Sequence, residues 1–320
     1  MQQTEGGVTK ALNYLFLEPM GKRSPALMSL RLSQILHDRS GGRFDPHVQR
    51  FLRGLKPKLQ LPSSRHMNEQ EIDAAVETLN RQGWNILPWR FDAKDIEALR
   101  SFAFTTPAYA KNPSERIAID PARIPRDYGR YSWRISDLIR VPAVQKLIAD
   151  SALHRIAQDY VGCRPLLTSI SLWLDPVYEG IYNAHVYHYD NDGPAFLKFF
   201  IYLNDVDIDT GAHSFIQGSH NRLKPKTLSR AKFYERDDLL AHYGQDSEVV
   251  FSAPAGIILA EDTAGFHKGT TPRRDYRLLL QLQYAMLDIP NEEEFSPGVE
   301  PVQIEGLDPS IRRIGRKFFS

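Results

Sequence analysis

The second half of the chain has the polarity pattern of a series of short β-strands. Runs of β-branched, aromatic and other apolar residues are separated by Gly, Pro, Asn and Asp, the residues that favour turns. Strands of this length, one after another, pair antiparallel and pack as two sheets. The predicted strands cover residues 166–174, 197–203, 249–253, 256–260 and 277–285.

The first half has helical periodicity instead. Asn68 followed three residues later by Glu71 forms a capping-box pattern, and apolar residues recur behind it at helical spacing. The other predicted elements are a short strand at 84–88, a helix beginning at Asp92, a helix over 142–150, a helix over 151–161 capped by Ser151, and a helical insertion at 226–243.

This order of elements predicts a mainly β protein with flanking helices and a jelly-roll core. Such a core can enclose a ligand between its two sheets. We divide the chain into a helical extension and linker at 1–66, the jelly-roll domain at 67–290 and a tail at 291–320. The linker is placed on the proline-bearing stretch at 55–64.

The last predicted strand has one mixed and one apolar face. Arg277, Gln281 and Gln283 alternate with Leu278, and with further apolar residues beyond it, at the period of a β-strand. If Arg277 points into the space between the sheets, both glutamines do so as well, and the apolar face packs on the helices. This orientation predicts a polar interior.

The composition restricts the possible binding partners more than it restricts the possible folds. Hydrophobic residues make up 42% and charged residues 25%, as in ordinary globular proteins. The net charge of +1 gives no reason to expect nucleic acid or a membrane as a partner, and it leaves a small molecule. The single cysteine, Cys163, excludes an intrachain disulfide and a zinc–thiolate cluster. Because the first residues also lack a signal-peptide pattern, we expect a cytoplasmic protein.

One short motif carries metal chemistry. In His188-Tyr-Asp190, strand geometry places an imidazole and a carboxylate on the same face. His267, from a distant strand, would complete a facial triad of two histidines and one carboxylate, which leaves coordination positions open and is typical of non-haem Fe(II) oxygenases. The alternative is two structural histidines and a turn aspartate.

Arg277 follows His267 by ten residues at the start of a predicted strand. Its planar guanidinium offers a fixed fork for a carboxylate, the group by which an oxo-acid cosubstrate is held. The alternative is an exposed surface arginine, which is the usual situation of this residue.

Together these motifs have a recognisable order, and roughly residues 84–285 resemble the phytanoyl-CoA dioxygenase family. The resemblance implies a double-stranded β-helix, Fe(II) as the cofactor, and 2-oxoglutarate and O2 as cosubstrates. It implies that His188, Asp190 and His267 bind iron and that Arg277 binds the distal carboxylate of 2-oxoglutarate. The retained Asp190 favours oxygenation over halogenation. The motifs are His188-Tyr-Asp190, LKFFIYLNDVD at 197–207, Gly211, Gly218-Ser219-His220, Asp262-Thr263, His267-Lys-Gly269 and Arg277.

Three further residues are candidates for cosubstrate binding. Lys198 could face the cavity and support a carboxylate, or lie at a solvent-exposed sheet edge. His185 lies in a region that contacts the cosubstrate in the resembling family. Its spacing from His188, however, puts it on the opposite strand face unless the backbone bends. Thr271 could donate a hydrogen bond to the cosubstrate or stabilise a turn.

The candidate substrate residues are Gln281, Gln283, Trp173 and Tyr182. The last two could equally be packed in the core. Buried amides need hydrogen-bond partners, which a hydrocarbon chain cannot provide. We therefore expect a polar small molecule, such as a sugar-like or amino-acid-like metabolite or a biosynthetic intermediate, rather than a fatty acyl-CoA.

The sequence thus predicts an Fe(II)- and 2-oxoglutarate-dependent dioxygenase that hydroxylates such a molecule. One alternative is a cupin-like metal-binding isomerase or ligand-binding module without 2-oxoglutarate chemistry, which would leave Arg277 without a role. The other is a family member without activity that serves as a binding protein. Nothing in the sequence predicts the oligomeric state.

Overall fold

Two antiparallel sheets face each other at the centre of the computed structural model, which describes residues 25–112, 114–225, 228, 233–289 and 299–320. The large sheet has the strand order β1-β7-β4-β9-β3-β2, and the small sheet has the order β6-β5-β8. All six predicted strands are present, with ends that differ by no more than two residues. The strands are β1 (Trp84–Ile86), β2 (Tyr131–Ser132), β3 (Leu166–Asp175), β4 (Phe196–Tyr202), β5 (His213–Ile216), β6 (Glu248–Phe251), β7 (Ile258–Glu261), β8 (His267–Gly269) and β9 (Arg277–Ala285).

The chain alternates between the two sheets as it winds through the core. From β3 in the large sheet it passes to a segment at His188, which pairs with His267 of β8 in the small sheet, and then returns to β4 in the large one. β5 and β6 lie in the small sheet, β7 in the large, β8 in the small and β9 in the large. This is the double-stranded β-helix arrangement, so the predicted jelly-roll core with flanking helices is confirmed.

Several helices pack on the outer face of the large sheet, whereas the helix at Arg236–Tyr243 packs on the small sheet, where Leu239 and Leu240 share a cluster with Ile216. Leu280, Leu282 and Tyr284 of β9 are fully buried in the cluster that also contains the apolar faces of the helices on the large sheet. The helices are α1 (Pro25–Ser40), α2 (Asp45–Leu55), α3 (Glu69–Gln82), α4 (Ala93–Thr105), α5 (Ile135–Leu138), α6 (Pro142–Ala149), α7 (Ala152–Val161), α8 (Arg236–Tyr243) and α9 (Pro309–Ile314), with a 3-10 turn at Asn183–His185.

The predicted orientation of β9 is confirmed by what its two faces contact. Leu279 belongs to the cluster between the sheets, together with Phe215 and Phe251 of the small sheet. Arg277 and Gln281 alternate with the same period and therefore share that inner face. The polar face of β9 thus lines the interior of the β-helix.

Helix starts were predicted with mixed success. At α3 the Asn68 side chain accepts from the Glu71 amide at 3.0 Å, and the Glu71 carboxylate accepts from the Asn68 amide at 2.8 Å, so the capping box is confirmed. The predicted Ser151 cap of α7 is wrong. Ser151 has a helical backbone conformation and its buried hydroxyl has no partner, whereas Asp150 accepts from the Ala152 amide at 2.9 Å.

Segments outside the predicted 67–290 domain pack onto it. Leu52 of α2 lies in a cluster with Val161 and Met286, and Ile311 and Ile314 of α9 are buried in the main core. In the predicted insertion, α8 is a helix, while 226–227 and 229–232 lie outside the described residues. The described helices include none that is both long and apolar enough to cross a bilayer.

Candidate metal centre and carboxylate site

The three predicted metal ligands meet at one end of the β-helix interior. The candidate ligand atoms of His188, Asp190 and His267 all lie within 4.8 Å of one another. The Nε2 atoms of His188 and His267 are 3.9 and 3.6 Å from the nearer Asp190 carboxylate oxygens. Reciprocal backbone hydrogen bonds of 3.1 and 2.9 Å join the two histidines, so the small sheet itself fixes their spacing.

Both imidazole rings are oriented from behind by the backbone. His188 Nδ1 lies 2.8 Å from the Val186 carbonyl oxygen, and His267 Nδ1 lies 3.0 Å from that of Gly265. A ring that donates through Nδ1 keeps its Nε2 lone pair for a metal, which is the usual outer-shell arrangement of histidine ligands. The two nitrogens and the carboxylate therefore fit a divalent metal held on one face.

The protonation states suit metal binding. Burial lowers the pKa of His267 well below its ordinary value, so the ring is neutral near pH 7. Burial works to raise the pKa of Asp190, but the positive charge of Lys198 and the hydrogen bond from it outweigh burial and hold that pKa below its usual range. Metal ligands must be deprotonated, and His267 and Asp190 already are.

Lys198 faces the interior and contacts the metal-ligand carboxylate. Its Nζ lies 2.6 Å from Asp190 Oδ2 and 3.1 Å from Asp192 Oδ2, and the residue is 8% exposed. The predicted alternative of a solvent-exposed edge lysine is wrong. The Gln283 amide donates to Asp192 at 2.8 Å, so this glutamine has a protein partner and does not require one from a ligand.

A polar row crosses the inner face of the large sheet beside the metal ligands. The row begins at Glu261, whose Oε1 lies within hydrogen-bond distance of His213 Nε2, at 3.0 Å. The His213 ring stacks on the His267 ring, with the ring centres 5.5 Å apart. Burial raises the pKa of Glu261 well above its ordinary value and so favours the neutral carboxyl. The prediction of site residues missed both Glu261 and His213. From β7 through β4 and β9 to β3, the row is Glu261, Lys198, Gln283 and Ser169.

Arg277 is buried at the other end of the inner face. It is 1% exposed, so the alternative of a surface arginine is wrong. Nη1 donates to the Gly211 carbonyl at 2.5 Å and Nη2 donates to Asp175 Oδ2 at 2.5 Å. Gly269 packs so closely that a Cβ there would lie 2.3 Å from Nη2.

The predicted carboxylate-binding residues lie around Asp175. His185 Nε2 lies 3.8 Å from Asp175 Oδ2, and His185 Nδ1 lies 3.1 Å from the Thr271 hydroxyl. The 3-10 turn at Asn183–His185 supplies the bend that His185 needs to face inwards. Asp175 also pairs with Arg130 through bonds of 2.6 and 3.1 Å. Neither Asp175 nor Arg130 was predicted as a site residue.

Several donors in this cluster have nothing to bind among the described parts of the chain. Arg277 Nε, His185 Nε2 and the Thr270 hydroxyl are buried without a hydrogen-bond partner there. A buried donor without a partner costs about 1–3 kcal/mol. Such donors around an arginine suit an acceptor-rich ligand such as a carboxylate. Thr271, which was predicted to bind the cosubstrate, contacts His185.

A cavity of about 640 Å³ opens along β3. Trp173 and Tyr182 both line it, and the Arg130 guanidinium lies 4.0 Å from the centre of the Trp173 ring. Ser169, also in the lining, is two strands away from Lys198, or about 10 Å at the usual strand spacing. The cavity therefore opens on the same sheet as Lys198, two strands away from it, and has a size usual for small-molecule sites.

No model of a protein family matches the sequence, and no curated protein is similar to it. Some solved structures are similar in fold. The chain is 16% identical to the α-ketoglutarate-dependent epimerase SnoN from nogalamycin biosynthesis, over 68% of this chain and 82% of that chain (TM-score 0.48). It is 15% identical to the carbocyclase SnoK from nogalamycin biosynthesis, over 77% and 98% (TM-score 0.47). It is 16% identical to HygX from Streptomyces hygroscopicus with nickel and 2-oxoglutarate bound, over 78% and 95% (TM-score 0.45). Likenesses this distant do not say what this chain binds or does.

Proposed function

We propose that the chain is a non-haem Fe(II)- and 2-oxoglutarate-dependent oxygenase that hydroxylates a polar small molecule. The observation that carries this proposal is the cluster of His188, Asp190 and His267, whose ligand atoms lie within 4.8 Å of one another. Two imidazoles and one carboxylate on one side of a metal leave the other side open, which is the ligand set of Fe(II) oxygenases.

When bound, Fe(II) and 2-oxoglutarate supply the oxidising chemistry: O2 converts 2-oxoglutarate to succinate and CO2 and a substrate C–H bond to C–OH. The protein holds the ligand side chains in position. The carbonyls of Val186 and Gly265 orient the two rings, and Lys198 holds the Asp190 carboxylate ionised. The ligands are thus fixed before the metal arrives, so little ordering is lost on binding.

The distal carboxylate of 2-oxoglutarate is assigned to Arg277. The support is that Arg277 Nε and, beside the Asp175 partner of Arg277, His185 Nε2 are buried and have no hydrogen-bond partner among the described residues. A carboxylate has lone pairs for several donors, so one ligand group could accept from both. A metal-binding isomerase or binding module would leave these donors without a role.

The substrate is assigned to the cavity along β3. Ser169 and Ser171 offer hydroxyl oxygens, while Trp173 and Tyr182 offer aromatic surface. The two hydroxyls share a hydrogen bond of 3.1 Å, and Gln283 and Arg130 are bonded to Asp192 and Asp175. The support for a polar ligand is therefore the further hydrogen-bonding capacity of the two hydroxyls, which a fatty acyl chain would not use.

The first test is metal binding, measured by mass spectrometry and elemental analysis after loading with Ni(II). We expect one metal per chain and loss of that metal in His267→Ala. The matched control is His220→Ala, because the His220 ring contacts the Asn80 carbonyl, at 3.2 Å, and is not one of the three clustered ligands, so this variant should keep the metal.

The second test measures succinate from 2-oxoglutarate, with and without O2, against panels of polar metabolites and acyl-CoAs. We expect O2-dependent, substrate-stimulated succinate with the polar panel. Full turnover by His267→Ala, or conversion of a substrate without 2-oxoglutarate, would contradict the proposal. Hydroxylation of acyl-CoAs alone would contradict only the substrate class.

A further inference from the structure

The carboxylate site contains a second arginine whose role follows from a count of charges. We infer that Arg130 is a positioning residue for the distal carboxylate of the cosubstrate, because it neutralises Asp175 and so keeps Arg277 available. This inference rests on the proposed function. It assigns to Arg130 a task that no pattern in the sequence indicates.

Arg277 alone cannot attract a carboxylate in this chain. It is paired with Asp175, and the two side chains are 1% and 0% exposed, so together they form a neutral buried pair. A ligand carboxylate brought beside such a pair would be a buried charge without compensation, which is costly. A second positive charge is needed to make the net charge of this cluster positive.

Arg130 supplies that charge at the same carboxylate. Its Nε and Nη2 bind both oxygens of Asp175, at 2.6 and 3.1 Å, which is the strong two-bond geometry of arginine and carboxylate. Two arginines and one aspartate leave one positive charge. Burial lowers the pKa of His185, so its ring adds none near neutral pH. One ligand carboxylate then brings the cluster to neutrality.

The geometry also gives the two arginines different binding partners. Arg130 is fixed by its bonds to Asp175 and by the Trp173 ring at 4.0 Å, so its guanidinium is committed to holding the aspartate. Arg277 gives Asp175 one bond and keeps a buried Nε without a partner among the described residues. The ligand therefore meets Arg277, and Arg130 acts through Asp175.

The test is a double-mutant cycle on 2-oxoglutarate binding, measured by calorimetry with Ni(II)-loaded protein, which needs no turnover. Arg130→Gln should weaken binding by about tenfold or more, because Asp175 then neutralises Arg277. Asp175→Asn should bind at least as tightly as the wild type. The double variant should regain wild-type affinity, because both charges of the pair are removed together.

A purely structural role of Arg130 predicts the opposite for the double variant, which would bind as weakly as Arg130→Gln. Unchanged affinity in a folded Arg130→Gln would also overturn the inference. If that variant does not fold, Asp175→Asn and the double variant still decide: both must bind at wild-type affinity or better. If the wild-type protein binds Ni(II) but no 2-oxoglutarate, the proposed function itself fails.

Discussion

Replacing Gly269 by alanine tests the carboxylate site with one methyl group. Gly269 ends β8 and lies against the Arg277 guanidinium, where a Cβ would be 2.3 Å from Nη2 and 3.1 Å from Cζ. Ordinary contacts between such atoms are about 3.5 Å, so the guanidinium would have to retreat by about 1 Å. The glycine is not among those with a positive φ, so alanine fits its backbone.

The size of the effect follows from the bonds that such a retreat would stretch. Nη2 donates to Asp175 and Nη1 to the Gly211 carbonyl, both at 2.5 Å, and a displacement of this size breaks at least one of them or misaligns the ligand. A hydrogen bond to a charged group contributes about 1.5–3 kcal/mol, so 2-oxoglutarate should bind roughly ten- to a hundredfold more weakly.

Calorimetric titration of 2-oxoglutarate into Ni(II)-loaded protein measures this directly. Ni(II) binding itself should be unchanged, because the metal ligands keep their contacts. The matched control is Gly54→Ala in α2, where a Cβ would meet nothing within 4 Å; it should leave affinity unchanged and raise stability by about 0.5–1 kcal/mol. A folded Gly269→Ala protein with wild-type affinity would refute the assignment of Arg277 to the cosubstrate.

Three further predictions concern stability, each read from urea unfolding. Burial lowers the pKa of His154 to about 4, so below about pH 6.5 the unfolded chain takes up a proton that the folded chain does not. The free energy of unfolding should therefore fall by up to about 3 kcal/mol between about pH 6.5 and 4. His154→Phe should flatten that slope. An unchanged slope would exclude this histidine as its source. Asn68→Ala removes the helix cap and should cost about 1 kcal/mol, whereas a neutral result would mean that the cap is dispensable. Tyr160→Phe removes the 2.7 Å bond to Asp262 and should cost about 1–3 kcal/mol, and a smaller loss would mean that Asp262 finds another donor.

Strand periodicity explains why part of the site was predictable. Alternation of side chains is local, so His188 and Asp190 share a face wherever that segment lies, and Arg277 shares one with Gln281. The missed carboxylates, Asp175 and Glu261, each stand one residue beyond a predicted strand end. A carboxylate after an apolar run is typical of a turn. Only pairing with a neighbouring strand shows that both belong to the sheet and point inwards.

Long-range partners were not predictable in the same way. Arg130 meets Asp175 because β2 lies beside β3, a pairing that no local pattern indicates. The position of Lys198 was left open between the cavity and a solvent-exposed edge, because its partner, Asp190, lies on a segment that is separated from it by a turn. Ser151 was chosen as a cap by residue type, while backbone conformation at that position gave the role to Asp150.

The reciprocal backbone bonds between His188 and His267 make two amide protons a reporter of the metal. Each amide donates to the carbonyl of the other residue, at 3.1 and 2.9 Å, so its exchange with solvent requires these two segments to separate. A metal bound to both rings would tie the same segments together and slow that separation. Hydrogen exchange at these two amides should therefore follow metal occupancy before any substrate is identified. The amide of Ile72 in α3, which donates to the Asn68 carbonyl at 3.1 Å, provides a reference outside the small sheet.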